Sequence, residues 1–289
     1  MQAGAVLVLA FGERMISVPS PDQILKRTAH RPWPPPRRPW LWSQGWRDLL
    51  FCHWAVPVEA LRPHVPRSLE IDELNDTAWV SLVAFRMTQV RPRWLPSLRP
   101  VSDFLELNFR TYVRSGDKPG VLFLSIHANK RLAVHVARWF SPLPYVFARM
   151  TLSPCDDGLQ FHCVSADGQE GANFAAHYTP ASKVYMARRD PLSEWLLERY
   201  RLYAGTLSGG LIRNEVHHDP WEVQDVVLKI SANTLGQAIG LDLSPTPDRA
   251  HFSSGVDALA WSFEPELSNP KIEIREDFLA TDGTRMKHG

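Results

Sequence analysis

The sequence predicts a mainly β fold of the α+β class, a closed antiparallel β-barrel with a few short helices. Many short segments alternate apolar and polar residues at period two and are separated by turn residues, whereas few segments have helical spacing. Residues 78–87 are apolar at both sets of alternating positions, which is typical of a barrel wall that is covered on its outer face. No repeat or low-complexity block divides the chain, so we expect one domain.

Three regions are expected along the chain. Residues 1–30 carry little pattern and predict a poorly structured leader. The apolar run at 3–11 is too short to span a bilayer and lacks the basic residues that precede the core of a signal peptide. Residues 31–265 make up the predicted domain, and residues 266–289 a polar tail.

The domain opens with a proline-rich segment at residues 31–40, which we call the strap. Proline at this density excludes a helix or a central strand and favours an extended chain. We expect the strap to lie over the domain, because Trp33 and Trp40 gain from burial. A ligand for a proline-recognising module is the alternative.

The next elements are predicted from apolar runs and proline stops. Residues 49–54 predict a buried strand, 57–62 a short helix, and 69–72 and 78–87 further strands. His53 lies inside the first of these strands. It is a candidate ligand-binding residue, although a histidine in a strand core is more often a packed residue with its hydrogen bonds satisfied.

Residues 104–113 predict a strand with one unusually polar face. This strand and a returning strand at 121–128 are expected to form a hairpin around the turn at 116–120. The apolar face would carry Leu105, Leu107, Phe109, Thr111 and Val113, and the polar face Glu106, Asn108, Arg110 and Tyr112. If the polar face points into a barrel, it forms a ligand site. If it points to water, it is ordinary.

The second half of the chain predicts more short strands and two further helices. A helix at 132–140 is expected from helical spacing, and one at 192–200 from the cap formed by Asp190 and Pro191. Strands are predicted at 146–152, 159–164, 173–178, 211–217, 226–230 and 258–263, with a short helix at 233–239.

Composition excludes several classes of function. The net charge of +1 provides no global field for nucleic acid or an anionic membrane, so neither is an expected partner. The three cysteines are an odd, widely spaced set, which predicts free thiols and a cytoplasmic location. His217 and His218 are adjacent on a strand and point to opposite faces, so no metal site is predicted. No phosphate loop or dinucleotide motif is present, so no cofactor is expected.

Several motifs carry a resemblance to a known family. Residues 46–54 (WRDLLFCHW), 106–113 (ELNFRTYV) and 217–221 (HHDPW) resemble the YqjF-like family of uncharacterised proteins, and the match extends over about residues 30–265. That family is in turn distantly similar to acetoacetate decarboxylase. The relation implies a decarboxylase-like, cone-shaped and mostly antiparallel β-barrel with a ligand cavity inside.

The same resemblance argues against the decarboxylase reaction. In the decarboxylase, a Gly-Arg-Glu segment followed by Gly-x-Pro-Lys places the lysine that forms a Schiff base. In the similar segment here Arg138 and Pro144 match, and Tyr145 stands at the lysine position. A phenol cannot form an imine, so the resemblance implies the cavity without that chemistry.

Three hypotheses follow. The first is a barrel that binds a small carboxylate or carbonyl compound, with Asn108, Arg110, Arg138 and His53 binding the ligand. The second is a lyase or hydrolase of keto or aromatic acids that uses Glu106 as acid or base and Tyr145 as donor. The third is a non-catalytic interaction protein whose strap faces the partner. A purely structural role for the polar face remains the alternative to the first two.

Overall fold

The computed structural model of the protein describes residues 19–165, 173–205 and 210–266. Over these residues the chain forms fourteen strands and five short α-helices. The strands are β1 (Trp42–Val56), β2 (Glu70–Ile71), β3 (Ala78–Pro92), β4 (Phe104–Ser115), β5 (Lys118–Ala128), β6 (Tyr145–Cys155), β7 (Gly158–Ser165), β8 (Asn173–Pro180), β9 (Tyr185–Met186), β10 (Arg201–Gly205), β11 (Leu211–His218), β12 (Glu222–Asn233), β13 (Arg249–Ala260) and β14 (Glu264–Pro265). The helices are α1 (Pro21–Lys26), α2 (Val58–Leu61), α3 (Arg99–Ser102), α4 (Arg131–Phe140) and α5 (Pro191–Leu197), with 3₁₀ turns at Arg62–His64, Ala187–Arg189 and Gln237–Ile239. None of the helices in these ranges is long and apolar enough to cross a membrane.

The consecutively paired strands form two rings that have several strands in common. One ring follows β5, β6, β7, β8, β12, β13, β1, β3 and β4 and returns to β5. A second path leaves β5 through β10 and β11 and rejoins at β13. The rings have β13, β1, β3, β4 and β5 in common, and we call these five strands the shared wall. The mainly β prediction is therefore confirmed.

The predicted antiparallel pairing holds for most strand pairs, but two pairs are parallel. Strand β5 pairs in parallel with β6, at residues 126–128 and 145–147. It also pairs in parallel with β10, at residues 121–122 and 202–203. A parallel partner requires a crossover connection instead of a tight turn, and α4 is the connection between β5 and β6.

Both faces of the shared wall are buried, each against its own apolar core. Leu82, Leu107 and Phe109 belong to the first core, which β7 and β8 complete with residues such as Phe161 and Phe174. The second core consists of the alternate residues of the same strands, together with residues of α5 and Trp221. From the wall it takes Leu49, Phe51, Val83, Phe85, Phe104 and Tyr112. The expectation of a wall covered on both faces at 78–87 is thus confirmed.

Most predicted elements are present, with shifted boundaries. The hairpins β4–β5 and β6–β7 form as expected. The last predicted strand begins at Arg249 and not at 258, because residues 249–257 mix small, polar and apolar side chains and hide the alternation. Strand β10 was not predicted. The predicted helix at 192–200 ends at Leu197. Cys52, Cys155 and Cys163 are free thiols.

The prediction of a poorly structured leader is wrong for its described part. Ser20 and Gln23 form a reciprocal capping box that starts α1. Ile24 is buried in a small cluster with Trp40, Leu259 and Trp261. Residues 1–18 of the predicted leader and residues 267–289 of the predicted tail lie outside the described ranges.

The strap lies over the domain, as expected. Trp40 is buried, and the indole N–H of Trp33 donates to Glu215 Oε2 at 3.0 Å. Arg31 is also buried and pairs with the same carboxylate at 2.9 Å. Both strap tryptophans therefore contact the domain, which argues against the hypothesis that the strap faces a protein partner.

Candidate functional site

The polar face of β4 is turned into the second core. Glu106 and Asn108 are buried, and Arg110 is partly buried. Across the shared wall Arg110 lies opposite Ser81 on β3, and Ser81 lies opposite His53 on β1. Opposite positions on neighbouring strands share a face of the sheet. We call the set His53, Ser81, Glu106, Asn108, Arg110 and Tyr112 the polar row.

One end of the polar row is a hydrogen-bonded triangle. Ser81 Oγ lies 2.5 Å from His53 Nδ1 and 2.5 Å from the Tyr112 hydroxyl, which is 3.1 Å from His53 Nδ1. Burial, followed by electrostatic interactions with His251 and Arg110, holds the pKa of His53 well below its usual value. His53 is therefore a neutral hydrogen-bonding group at neutral pH.

A second histidine, His251 on β13, lies beside this triangle. Its ring centroid is 5.9 Å from that of His53. Its Nε2 is 3.0 Å from Ser193 Oγ, and that hydroxyl donates to Asp190 Oδ2 at 2.6 Å. Ser193 and Asp190 belong to the start of α5, where Asp190 also caps the helix by accepting from the Ser193 N–H.

This arrangement fixes the tautomer of His251. The hydrogen bond from Ser193 lowers the pKa of Asp190, so Asp190 is an ionised carboxylate that can only accept hydrogen bonds. The Ser193 proton therefore points to Asp190, and the proton between Ser193 and His251 must be on Nε2. Burial lowers the pKa of His251 to about 4, so the ring is neutral and Nδ1 carries a free lone pair.

The other end of the polar row is a carboxyl group and a phenol. The Tyr145 hydroxyl, at the start of β6, lies 3.4 Å from Glu106 Oε2. Burial raises the pKa of Glu106 to about 7, although hydrogen bonds from Asn108 and Tyr145 act in the opposite direction. Burial and the neighbouring carboxylate raise the pKa of Tyr145 well above its usual value. Glu106 can thus gain or lose a proton near neutral pH, while Tyr145 stays a donor.

Several buried polar atoms of this face have no hydrogen-bond partner among the described residues. They are Asn108 Oδ1, Arg110 Nε, His53 Nε2 and His251 Nδ1. Buried polar atoms in native proteins are nearly always paired with protein or water, so these four, of twelve such atoms among the described residues, mark places where a polar group could bind. The set offers two acceptors (the amide oxygen and the lone pair of His251) and a guanidinium donor.

Arg138 does not join the polar row. It is exposed on α4, and its Nε and Nη2 atoms donate to the backbone carbonyl of Tyr145 at 2.8 and 2.5 Å. The match of Arg138 to the decarboxylase motif therefore places its side chain beside the backbone of residue 145.

Three residues near the row were absent from the sequence-based candidates. Ser81 was hidden in an apolar run, and His251 lay in a strand that was recognised only from residue 258 onward. Ser193 was recognised only as part of a helix cap. The alternation of Arg249, His251 and Ser253 with apolar neighbours was the one local signal available for His251.

An open cavity of about 380 Å³ lies between the strap and α5. Trp195 and Arg199 line it, and both also contact Tyr112 of the polar row, at 4.8 Å between rings and 4.9 Å from guanidinium to ring. Arg199 pairs with Asp72 at 2.5 Å, also in the lining. Two side chains thus stand between this cavity and the polar row.

The residues that could hold a metal ion lie elsewhere. Cys155, Asp157 and His177 offer ligand atoms within 4.8 Å of one another on β6, β8 and the turn after β6. His177 Nε2 is already 2.9 Å from Asp157 Oδ1. His217 and His218 each have a ring nitrogen close to a backbone carbonyl oxygen, of Ile24 at 3.0 Å and of Asp219 at 2.7 Å. The polar row itself contains no such group.

Sequence comparison places the chain among proteins of undetermined activity. The model of the DUF2071 family, described as uncharacterized conserved proteins, matches residues 43–257. The uncharacterized protein YqjF of Bacillus subtilis (strain 168) is 40% identical over 222 residues, which cover 77% of this chain and 91% of that protein.

Structural comparison identifies the fold. Acetoacetate decarboxylase from Legionella pneumophila superposes with a TM-score of 0.57 at 14% identity, covering 88% of this chain and 99% of that one. The enduracididine biosynthesis enzyme MppR complexed with pyruvate gives 0.55 at 13% identity, covering 86% and 95%. An acetoacetate decarboxylase-like enzyme from Sphingomonas wittichii gives 0.56 at 14%, covering 79% and 93%. The protein therefore has an acetoacetate decarboxylase-like fold.

Proposed function

The chain belongs to the DUF2071 family of uncharacterized conserved proteins, and from that premise we propose that it binds a small carboxylate or carbonyl compound inside a closed barrel, on the polar row. The observation that carries the proposal is the group of unpartnered buried atoms at His53, Asn108, Arg110 and His251. A small polar molecule bound on this face would supply the missing hydrogen bonds.

The chemistry of the row favours a carboxylate with a neighbouring carbonyl or hydroxyl. Arg110 presents a guanidinium to the interior, and guanidinium pairs with carboxylate in a fixed geometry. Asn108 and the lone pair of His251 would orient the remainder of the molecule. MppR, which has the same fold, is complexed with pyruvate, a compound of this class.

Turnover of such a ligand is the second candidate function, and the Glu106–Tyr145 pair favours it. A carboxyl group whose pKa is about 7 is suited to move a proton at neutral pH, and a phenol that stays protonated can donate to a developing oxyanion. The reaction class would be a lyase or hydrolase step on a keto or aromatic acid. Formation of an imine is not part of the proposal, because the sequence resemblance aligns Tyr145 with the decarboxylase lysine, and a phenol cannot form an imine.

Ligand-induced stabilisation tests the proposal. The purified protein is heated with a panel of keto, hydroxy and aromatic acids, beginning with pyruvate, because a ligand that binds only the folded state raises the melting temperature. Arg110→Met should abolish the shift given by any stabilising acid, and Glu106→Gln should reduce it. Arg114→Met is the matched control, because Arg114 lies on the same strand with its side chain half exposed and paired with Glu70.

Two outcomes would contradict this function. One is a panel without any stabilising acid while the variants remain folded by circular dichroism. The other is a shift that Arg110→Met and Arg114→Met change equally, which would place the ligand outside the row. A stabilising acid that is consumed by the wild type and not by Glu106→Gln would establish turnover in addition to binding.

A further inference from the structure

Large apolar side chains are exposed at one end of the shared wall. Of the nine that are exposed among the described residues, six lie in two connections, the loop before α3 and helix α4. They are Trp94, Leu95, Leu98, Leu132, Trp139 and Phe140, with exposed fractions from 55% to 92%. We call this set the apolar face. Contiguous exposed apolar groups of this kind mark interaction sites.

The two connections are neighbours in space. The N–H of Leu105, at the start of β4, donates to the Asn129 side chain just before α4 at 2.8 Å. Helix α3, which follows Leu98, packs against α4. Phe140 at the end of α4 also lies 5.8 Å from the ring of Trp42. The apolar face is therefore one surface.

Helix α4 is held in place by packing on one side, so its exposed apolar side chains do not belong to a frayed segment. Ala133 and Val134 face inward and are buried in the second core. Leu132 and Trp139 lie seven residues apart, hence on one side of the helix, and both are exposed. The helix is thus anchored by one apolar side and presents a second one to solvent.

The same surface is strongly basic. Residues 90–98 and 129–142 contain five arginines and lysines, Arg91, Arg93, Lys130, Arg131 and Arg138, and no aspartate or glutamate, and the nearest acid along the chain is Asp103 at the end of α3. The whole chain carries a net charge of only +1. Positive charge is therefore concentrated around the apolar face, and a composition averaged over the chain conceals it.

We propose that the apolar face docks on an anionic lipid bilayer surface. Tryptophan, phenylalanine and leucine side chains bounded by arginine and lysine are the composition that settles at the boundary between headgroups and acyl chains. Basic residues at that depth are attracted by anionic headgroups. Attachment is peripheral, and it is independent of the ligand-binding function proposed above.

The charge and composition of the apolar face argue against two other partners, a second copy of this chain and nucleic acid. A second copy of this chain, docked face to face, would oppose two surfaces of the same sign. Nucleic acid satisfies the charge, but leucine side chains gain nothing against phosphates, and a stacking site needs aromatic groups within a groove. Of these three occupants, the lipid surface is the one that matches the charge and the apolar side chains together.

Vesicle sedimentation tests the proposal with the full-length chain. We expect binding to vesicles of phosphatidylcholine with phosphatidylserine, little binding to phosphatidylcholine alone, and release by salt. Trp139→Ser should weaken the partition by about tenfold or more, the change expected when one large side chain no longer leaves water. Val227→Ser is the matched control, because Val227 is 67% exposed on β12, away from the apolar face, and should leave binding unchanged.

Each alternative partner of the apolar face predicts a different experimental result. Absence of sedimentation with anionic vesicles overturns the proposal, as does binding that Trp139→Ser and Val227→Ser affect equally. A dimer in light scattering that Trp139→Ser dissociates would assign the face to a second copy. Binding to a duplex oligonucleotide, but not to vesicles, with loss in Arg93→Gln would assign it to nucleic acid.

Discussion

At the scale of single residues, burial decides the chemistry of the candidate site. Glu106 and Arg138 were both selected from the sequence as charged groups of one cavity. Glu106 is 3% exposed in a low-dielectric interior, whereas Arg138 lies on the outside of a helix and contacts a backbone carbonyl. Desolvation turns the Glu106 carboxyl group from an ordinary acid into one that titrates near neutral pH.

The raised pKa of Glu106 predicts a specific pH dependence of stability. A carboxyl group whose pKa is about 7 when folded and near 4.5 when unfolded favours folding in its protonated form. Its contribution is present in full below about pH 4.5 and is lost as pH rises through about 7, by about 3 kcal/mol. We expect Glu106→Gln to remove this loss, measured as the free energy of unfolding in urea at pH 5, 6, 7 and 8.

The comparison must be made as a difference between wild type and variant. Burial lowers the pKa of His127 and His251 to about 4, so these groups cost stability as pH falls below their usual pKa and oppose the effect of Glu106. They are present in both proteins and cancel in the difference. Parallel stability curves for the wild type and Glu106→Gln would show that Glu106 is charged in the folded protein.

At the scale of elements, the strap is held by a charged network and not by proline stiffness. Glu215 on β11 is 4% exposed and accepts from Arg31 of the strap and from Arg201 on β10, at 2.9 and 2.5 Å. Trp33 donates to the same carboxylate. One buried acid thus connects the strap to two strands that are far away in the sequence.

Removal of the Glu215 carboxylate should lower the free energy of unfolding substantially. Glu215→Gln leaves two arginines without their charge partner in a dry environment, and breaking a buried pair from one side costs about 3–5 kcal/mol. Glu70→Gln is the control, because its pair with Arg114 is about half exposed, and such pairs contribute at most about 1 kcal/mol. Urea unfolding measures both. Equal, small losses would mean that water reaches the Glu215 site.

The strap also shows which part of an element can be predicted from sequence. Proline density predicted an extended chain, and the tryptophans predicted its burial, because both properties are local. The partner carboxylate lies 184 residues after Arg31, and no local pattern signals a contact at that separation. The same limit applies to Ser193 and His251, which are 58 residues apart.

At the scale of the whole molecule, the shared wall is the centre of the structure. Residues 78–85 of β3 and residues 104–109 of β4 are buried without interruption. Strand β8, in contrast, alternates buried and partly exposed residues, as a strand with one solvent face does. The sequence predicted the first pattern as a covered wall and the second as short strands. It did not predict the parallel pairs that close the rings, because each depends on a crossover and not on a turn.

This difference predicts unequal protection of backbone amides. Opening β3 or β4 exposes two cores at once, so their amides should exchange only by global unfolding. Opening β8 exposes one core, and its amides should exchange by cheaper local events. Native-state hydrogen exchange measures both in one experiment. Equal protection of β3 and β8 would indicate that the two cores unfold as one unit.

The two-sided burial of the shared wall has a consequence for how this family can diverge. Consecutive residues of β4 lie on opposite faces of the strand. Odd positions such as Leu107 pack in the first core, and even positions such as Asn108 face the second core, where the polar row lies. Natural variation along the strand should therefore separate into two interleaved registers. Substitutions in one register would be tolerated only if they conserve volume, while those at polar positions of the other would alter the polar groups that face the second core. A strand of this kind lets the polar groups of the interior vary by single replacements, without remodelling any loop.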